Sequence, residues 1–519
     1  MPSATIVPVA PVVEADSKLT ITGITPTPER LTNGQSKGRQ LDAKLLGLNP
    51  NLITSYPTHS LDFLKKLRDQ GDKQNGLRQQ TRPIPQAKLR MDIVVVGAGL
   101  GGLAAAIALA LRGHSVTVLE QAPALEEVGA GIQIPSNTSR LLWRWGVFEH
   151  LDELAVKPNC INFRRWENGA VIGHTKLEPD FQQNYGAPYY VAHRAHLHRA
   201  LSERAASLGV AVRLNSRVTK YNAESASVTL SDGTVVRGDL VVAADGIKSL
   251  ARDTLHPNTA AQPSFTGFAA YRATVDVEKM KADPSLLWLL EKPSLNVWIG
   301  ENRHVMTYTM AGGKSFNMVL SHIDHSDPAT WKSEGVLEDI KREFSGWDSQ
   351  LMSIISLIDA SLKWPLRSGP CLDNWVDRSS RLVILGDAAH AMVPYMSQGA
   401  AMAMEDSGAL AYVLSQISSL GELPFALRTF QDERIRRSGE MREASLVNGL
   451  IWHFPDGPEQ VARDEAMRAE VDGVPFVRSA NQWSDPVTQS WTYGYDAEEA
   501  MGRRWDEEIS KLIVQRCQE

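Results

Sequence analysis

The chain has 519 residues, 43% of them hydrophobic and 22% charged, with a formal net charge of −6. That length exceeds one compact core and predicts two or three domains. The negative balance gives no electrostatic case for nucleic acid or an anionic membrane surface, and the scattered Cys160, Cys371 and Cys517 share no metal-ligand spacing and suit a reducing compartment.

Residues 1–90 are punctuated by proline, threonine, serine, asparagine and glutamine, with weak hydrophobic periodicity. The start, "MPSATIVPVAPVVEADSKLTITG", has no basic region and no unbroken apolar core, so no signal peptide is expected and the location is taken as cytoplasmic. One short amphipathic helix is predicted over Leu61–Arg68, with Ser60 as its N-cap. The rest reads as a flexible extension.

From Met91 the pattern sharpens in "MDIVVVGAGLGGLAAAIALALRGHSVTVLEQ". Ile93–Leu111 is about long enough to cross a bilayer. Its glycines and the polar "RGHS" argue instead for strand, turn, helix and strand, a βαβ unit. Gly97, Gly99 and Gly102 form G-x-G-x-x-G directly after the first strand. The first glycine makes the tight turn, the second admits a pyrophosphate, and the third lets helix and strand pack. Free N–H groups at the helix start attract phosphate. Glu120 ends the second strand, where an acid accepts from ribose hydroxyls and disfavours a 2′-phosphate, leaving FAD or NAD.

Further on, "SVTLSDGTVVRGDLVVAAD" predicts a hairpin turned at Ser231–Gly233 and an apolar strand running into Asp245. Runs between Phe265 and Ile323, broken by "GENR" and "AGGK", predict an antiparallel sheet and a second domain. "RLVILGDAAH" is another buried strand, and "GAAMAMEDSGALAYVLSQI" a helix. His193, His196 and His198 crowd together but lack a carboxylate pattern for metal, and no metal site is expected.

"DLVVAADGIKS" with its Asp-Gly pair and "LGDAAHAMVPYMSQGAAMAMEDSGALA" with Gly386-Asp387, Pro394, Gln398 and Gly399 choose between the two nucleotides. With the glycine fingerprint they resemble the class A flavoprotein monooxygenases, the family of p-hydroxybenzoate hydroxylase, and within it the fungal branch similar to salicylate hydroxylase. The resemblance runs from Met91 to the C-terminus. It implies an α/β fold: a Rossmann-like FAD-binding domain of the GR2 type, an inserted, mainly antiparallel β-sheet substrate domain and a helical C-terminal region. The expected division gives 91–160, 190–258 and 380–430 to the FAD-binding domain. It gives 161–189 and 259–379 to the substrate domain, and 431–519 to the C-terminal region.

By this resemblance FAD is bound non-covalently. Asp387, with Gly386, holds the ribityl chain, Asp245 belongs to the pyrophosphate region, and Gly131 (in "EEVGAGIQIPSN", with Gly129) and Arg194 contact the cofactor. Gly399 and Ala400 open a helix whose positive end would stabilise negative charge on reduced flavin. Asp387 could alternatively be a plain N-cap.

Only one complete dinucleotide fingerprint is present, so NADH or NADPH is expected as a transient co-substrate. The resemblance implies that reduced flavin and O2 give an electrophilic C4a-hydroperoxide, which hydroxylates a phenolic or other aromatic substrate. An electron-rich ring carbon calls for a cation or donor at the phenolic oxygen or a neighbouring carboxylate. Arg272 in "AAYRATV" and Tyr308 in "HVMTYTM" are the candidates, with Tyr271 and His304 behind them. Strand alternation turns Tyr271 away from Arg272. Arg272 could instead bridge domains, Tyr308 could be core, Pro394 a plain turn proline, and Trp452 and Phe454 ordinary packing. The competing functions are an oxidase or reductase without oxygen insertion and a non-catalytic nucleotide sensor.

Overall fold

The computed structural model describes residues 84–125, 130–257, 261–332 and 334–518. The helix expected at Leu61–Arg68, Gly129 and the side chain of Cys517 lie outside them.

Four consecutive apolar residues, Ile93–Val96, are all buried, as expected of a strand covered on both faces. The strand Asp92–Val96 is the middle of a parallel five-stranded sheet in the order Leu382–Ile384, Leu240–Ala243, Asp92–Val96, Ser115–Leu119, Ala211–Arg213. The helix Leu100–Ala110 is apolar nearly all round and buried from Leu103 to Leu109. It lies between this sheet and the helix Gly399–Gln416, which it approaches closely: a Cβ on Gly101 would sit 3.1 Å from that of Ala403. The membrane-length apolar run is thus used up by a strand and a core helix. No helix of the described residues is long and apolar enough to cross a membrane. The hairpin at Ser231–Gly233 joins Ser227–Leu230 to Val235–Arg237 in a separate three-stranded sheet.

The second sheet has seven strands, in the order Ser361–Ser368, Ser264–Asp276, Ser315–Ile323, Arg303–Met310, Ser294–Gly300, Cys160–Arg165, Val171–Lys176. Its pairings are antiparallel except Ser294–Gly300 with Cys160–Arg165, which run parallel. Both faces are covered at its centre, so the strands Ser294–Gly300, Arg303–Met310 and Ser315–Ile323 are nearly continuously buried. One face (Tyr271, Ala273, Trp298, Val305, Leu320) packs on the helices Val336–Glu343 and Ser349–Ser356. Trp298 is fully buried there, and its Nε1–H donates to Asp348 Oδ2 at 2.8 Å. The other face (Ala270, Val297, Met306, Tyr308) packs on Val393–Met396 and the end of a long helix, Leu423–Trp452.

That helix has 30 residues and spans about 45 Å at 1.5 Å per residue. Leu427 and Phe430 enter the core of the parallel sheet, while Met441, Val447 and Trp452 enter the core under the seven-stranded one. One rod therefore fixes both layers around whatever lies between them.

Candidate active site

The glycine loop is shaped by backbone contact. Gly97 has φ +98°, and a Cβ there would lie 2.5 Å from the Ala244 carbonyl oxygen. A Cβ on Gly102 would lie 1.9 Å from the Gly97 oxygen, so no side chain fits without moving main chain. At Gly99 the same construction meets nothing within 4 Å. Gly99 caps the helix Leu100–Ala110 with no side chain to satisfy its first N–H groups, which leaves them for an anion. Glu120 is half-buried below the loop, accepting the N–H groups of Ala98 and Ala122, each at 2.8 Å. Two bonds leave lone pairs of the carboxylate free for further donors.

The crowded histidines have separate duties. His193 Nδ1 accepts Ala195 N–H at 3.2 Å and caps the helix Arg194–Ser207. His196 packs on His193 at 5.2 Å. His198 Nε2 lies 2.7 Å from the Ala98 carbonyl oxygen and braces the glycine loop.

At the end of the strand Leu240–Ala243, Asp245 turns inward. Its Oδ2 accepts Tyr221 Oη–H at 2.9 Å and the N–H groups of Leu250 and Ala251 at 3.0 and 3.1 Å. Oδ1 is buried with no partner among the described residues. Burial, and then the Asp245 charge, push the Tyr221 phenol well above its ordinary range.

Gly386, at φ +62°, reverses the chain after Leu382–Ile384, and Asp387 begins the short helix Asp387–His390 with its carboxylate exposed. The N-cap is Gly386, so the capping alternative for Asp387 does not hold. Behind this turn is a buried charge network. Asp406 Oδ2 accepts Gly386 N–H at 3.0 Å and faces His390 Nε2 at 2.6 Å, while Oδ1 takes Arg434 Nε–H at 2.8 Å. Glu405 accepts from Arg434 at 2.8 Å and from Arg437 at 3.1 Å. Asn137 Nδ2 donates to both Glu405 Oε1 (2.7 Å) and Gln398 Oε1 (2.9 Å). Two carboxylates and two guanidiniums, none more than 1% exposed, balance each other. They tie the Gly386 turn to Gln398, the N-cap of the helix that Gly399 and Ala400 open.

On the facing sheet, register decides which side chains meet. Arg272 pairs with Val319, which pairs with Met306; Thr274 pairs with Asn317, which pairs with Tyr308. Arg272 and Tyr308 therefore share a face, on strands either side of Ser315–Ile323 and offset by two residues. Tyr271 is on the other face, stacked on His322 at 4.6 Å. The Tyr308 hydroxyl lies against Gly131, where a Cβ would be 2.4 Å from it, and Asn317 Oδ1 accepts Gly131 N–H at 2.7 Å. Arg272 is half-buried, and its Nε is buried without a hydrogen-bond partner among the described residues. Burial lowers its pKa, and so does the nearby Arg194 cation. Burial raises that of Tyr308, opposed by the charge of Arg272. Arg272, Tyr308, Arg194 and Gly131 thus gather at one seam. His304 is not free to join them. It is buried, bonded through Nδ1 to His453 Nε2 at 2.8 Å, and packed by Tyr395 and Trp452. Pro394 is exposed and begins a turn that the long helix clamps through Ser445 Oγ–H to Val393 O (2.6 Å) and Asn448 Nδ2–H to Tyr395 O (2.6 Å). Trp452 packs edge-on against Trp483 at 5.2 Å in the core of the sheet.

Residues 90–444 match the family model described as an FAD binding domain. The chain is 38% identical over 410 residues to FAD-dependent monooxygenase OpS4 of Beauveria bassiana, covering 78% of this chain and 95% of that protein. It is 35% identical over 412 residues to 3-amino-4-hydroxybenzoate 2-monooxygenase PtnB3 of Streptomyces platensis, covering 79% and 97%. A salicylate hydroxylase substrate complex matches with a TM-score of 0.65 at 24% identity, covering 80% of this chain and 98% of that one, and so shares the fold. The chain belongs to the FAD binding domain family.

This FAD-dependent monooxygenase has a cradle that suits its cofactor. Space is left only at the second glycine, and the first N–H groups of the helix beside it have no side-chain acceptor. Sequence reading missed the Glu405–Asp406–Arg434–Arg437 network and Asn137. The signal was present: an acidic pair midway along the otherwise apolar "GAAMAMEDSGALA", and two arginines three apart in a later helix.

Proposed function

We propose that this enzyme hydroxylates a phenolic or other aromatic acid, consuming NADH or NADPH and O2, in the cytoplasm. The reading rests on one observation above the others. Arg272 presents a buried, unpartnered Nε beside Tyr308 on the sheet face that meets the flavin-side strand Gly131–Ile134. A desolvated guanidinium without a partner is costly, and a phenolate or carboxylate is the group that satisfies it at two points.

In this reading the loop of Gly97, Gly99 and Gly102 and the start of the helix Leu100–Ala110 receive the pyrophosphate, and Glu120 accepts from the ribose hydroxyls. Asp245 shapes the turn beside them, Asp387 accepts from the ribityl hydroxyls, and Arg194 and Gly131 flank the ring system. Gly399 and Ala400 aim their N–H groups at its pyrimidine edge. FAD, when bound, supplies hydride acceptance and oxygen activation. Arg272 holds the substrate anion and favours the phenolate, which makes the ring carbon electron-rich. Tyr308 donates a second hydrogen bond; its raised pKa keeps the proton on the phenol oxygen at neutral pH. The 3-amino-4-hydroxybenzoate relative acts on an aromatic acid by its name, in line with this choice.

The test is aerobic turnover with a panel of hydroxybenzoates, reading oxygenated product by mass spectrometry against hydrogen peroxide. Arg272→Ala should retain normal FAD content, weaken substrate binding about ten- to a hundredfold, as for loss of a charged hydrogen bond, and divert reducing equivalents to peroxide. Unchanged coupling in that variant removes Arg272 from the site.

A further inference from the structure

The strand Ser361–Ser368 is the edge of the seven-stranded sheet, beside the strand that carries Arg272. Its register places Leu362 directly opposite Arg272 and Trp364 opposite Ala270. Both side chains therefore stand on the face that bears Arg272 and Tyr308, and Leu366, two residues further, enters the same core. Yet Leu362 is 48% exposed and Trp364 44%. Edge strands are usually blunted with charge, and the charge this strand does carry is on its other face. Lys363 bonds Asp324 and lies over the Trp331 ring at 4.4 Å. Half-buried Phe268, Val319 and Met392 continue the apolar surface inward. Single exposed apolar residues need no explanation. Two on one face, adjoining the buried, unpartnered Nε of Arg272, form a wall that leads from solvent to an anion site.

Building on the function proposed above, we infer that the natural substrate is larger than one ring. It is an aromatic acid or phenol whose anionic end meets Arg272 and whose apolar extension lies over Leu362 and Trp364. The extension is hydrocarbon or a second aromatic unit, because the side chains of this wall offer no donor or acceptor beyond the indole N–H. It is uncharged at its outer end, since the exposed front side chains of the edge strand, Leu362 and Trp364, carry no charge to meet one.

The experiment titrates the FAD-loaded enzyme, without reductant, with hydroxybenzoates bearing linear alkyl chains from methyl to hexyl at each ring position, following flavin absorbance. For one position, Kd should fall about twofold per added methylene, half the roughly fourfold of complete burial. Leu362→Ser combined with Trp364→Ser should flatten that slope while leaving Kd for the unsubstituted ring within about twofold. Both residues are exposed, so the variant should fold. A flat series at every position in the natural enzyme, or a slope the double variant leaves intact, overturns the inference while the proposed function stands. If no hydroxybenzoate perturbs the flavin at any chain length, both fail. Concentration-dependent sedimentation that the double variant abolishes would give the wall to a second copy of the chain, and would also overturn it.

Discussion

The two layers that enclose the active site are built on different terms. In the nucleotide half, the geometry is main chain against main chain: Gly97 against Ala244, Gly102 against Gly97. In the sheet half the backbone around Arg272 and Tyr308 is regular, and what matters is which side chain projects from which register position. The first half cannot vary at these positions without moving main chain. The second can change substrate by changing side chains on an unchanged frame, which is how one fold serves many chemistries.

Substitution within the glycine loop sharpens this contrast most. Gly102→Ala must displace main chain; overpacking of this sort costs about 3 kcal/mol or more, and FAD should be lost together with stability. Gly99→Ala meets no protein atom. It should leave the chemical-denaturation midpoint of the apoprotein unchanged yet raise the FAD dissociation constant in a fluorescence titration. If Gly99→Ala destabilises the apoprotein as Gly102→Ala does, the loop is merely packed and the cradle reading fails.

The next largest effect is expected where the halves are joined. Arg434→Met strands Glu405 and Asp406 without their shared guanidinium, and removing one partner of a buried pair costs about 3–5 kcal/mol. Burial works to raise the Asp406 carboxyl, but His390 and Arg434 together hold it below its ordinary value. Its contribution is therefore present above the unfolded carboxylate pKa of about 3.9 and is lost as pH falls further, through its lower folded value. Denaturation midpoints of Arg434→Met should fall by this amount at neutral pH, and the difference from the natural chain should narrow in acid. A constant difference would mean that Asp406 keeps its charge without Arg434.

These contrasts also explain what could be read from sequence. The glycine cradle, Glu120 and the Gly386–Asp387 turn were legible because each requirement is met within a few consecutive residues. That Arg272 and Tyr271 oppose each other followed from strand alternation alone. The pairing of Arg272 with Leu362, and the offset to Tyr308, depend on registers between strands far apart in the chain, which periodicity does not encode. Asp245 was assigned to the pyrophosphate region by resemblance; that its Oδ2 is spent on Tyr221 and a helix start could not be read. Its cap came from a partner on another strand. The expected boundary between 380–430 and 431–519 falls inside the long helix Leu423–Trp452, and nothing local marks Arg434 and Arg437 beyond it as buried.

A smaller, pH-dependent effect belongs to the sheet half. Burial holds His304 down to about 3 and His453 well below its usual range. Tyr395, Trp452, Phe268 and Arg463 surround them, and none offers a counter-anion. Below the unfolded histidine value of about 6.5 the unfolded chain takes up protons that the folded one refuses. Stability therefore rises with pH over roughly 3 to 6.5, by at most about 1.4 kcal/mol per unit for each imidazole. Urea midpoints near pH 7 and near pH 5 should differ more in the natural chain than in His304→Phe combined with His453→Leu. Equal slopes would show that the pair is protonated in the folded state.

The smallest effect tests the nucleotide half at its most exposed point. Asp387 lies in the open, at the first position of its helix, with Gly386 as the cap, so the helix does not depend on its carboxylate. Asp387→Asn keeps shape and one acceptor but loses the charge, a change worth about 1 kcal/mol for hydrogen bonds to a ligand hydroxyl. FAD should bind about five-fold more weakly, with the apoprotein midpoint unmoved. The direction discriminates sharply, because Asp387 also adds a negative charge near Arg252. If its main role were to balance that guanidinium, Asp387→Asn would lower apoprotein stability and leave FAD affinity alone. A drop in affinity without a drop in stability is what a residue aimed at the cofactor must give.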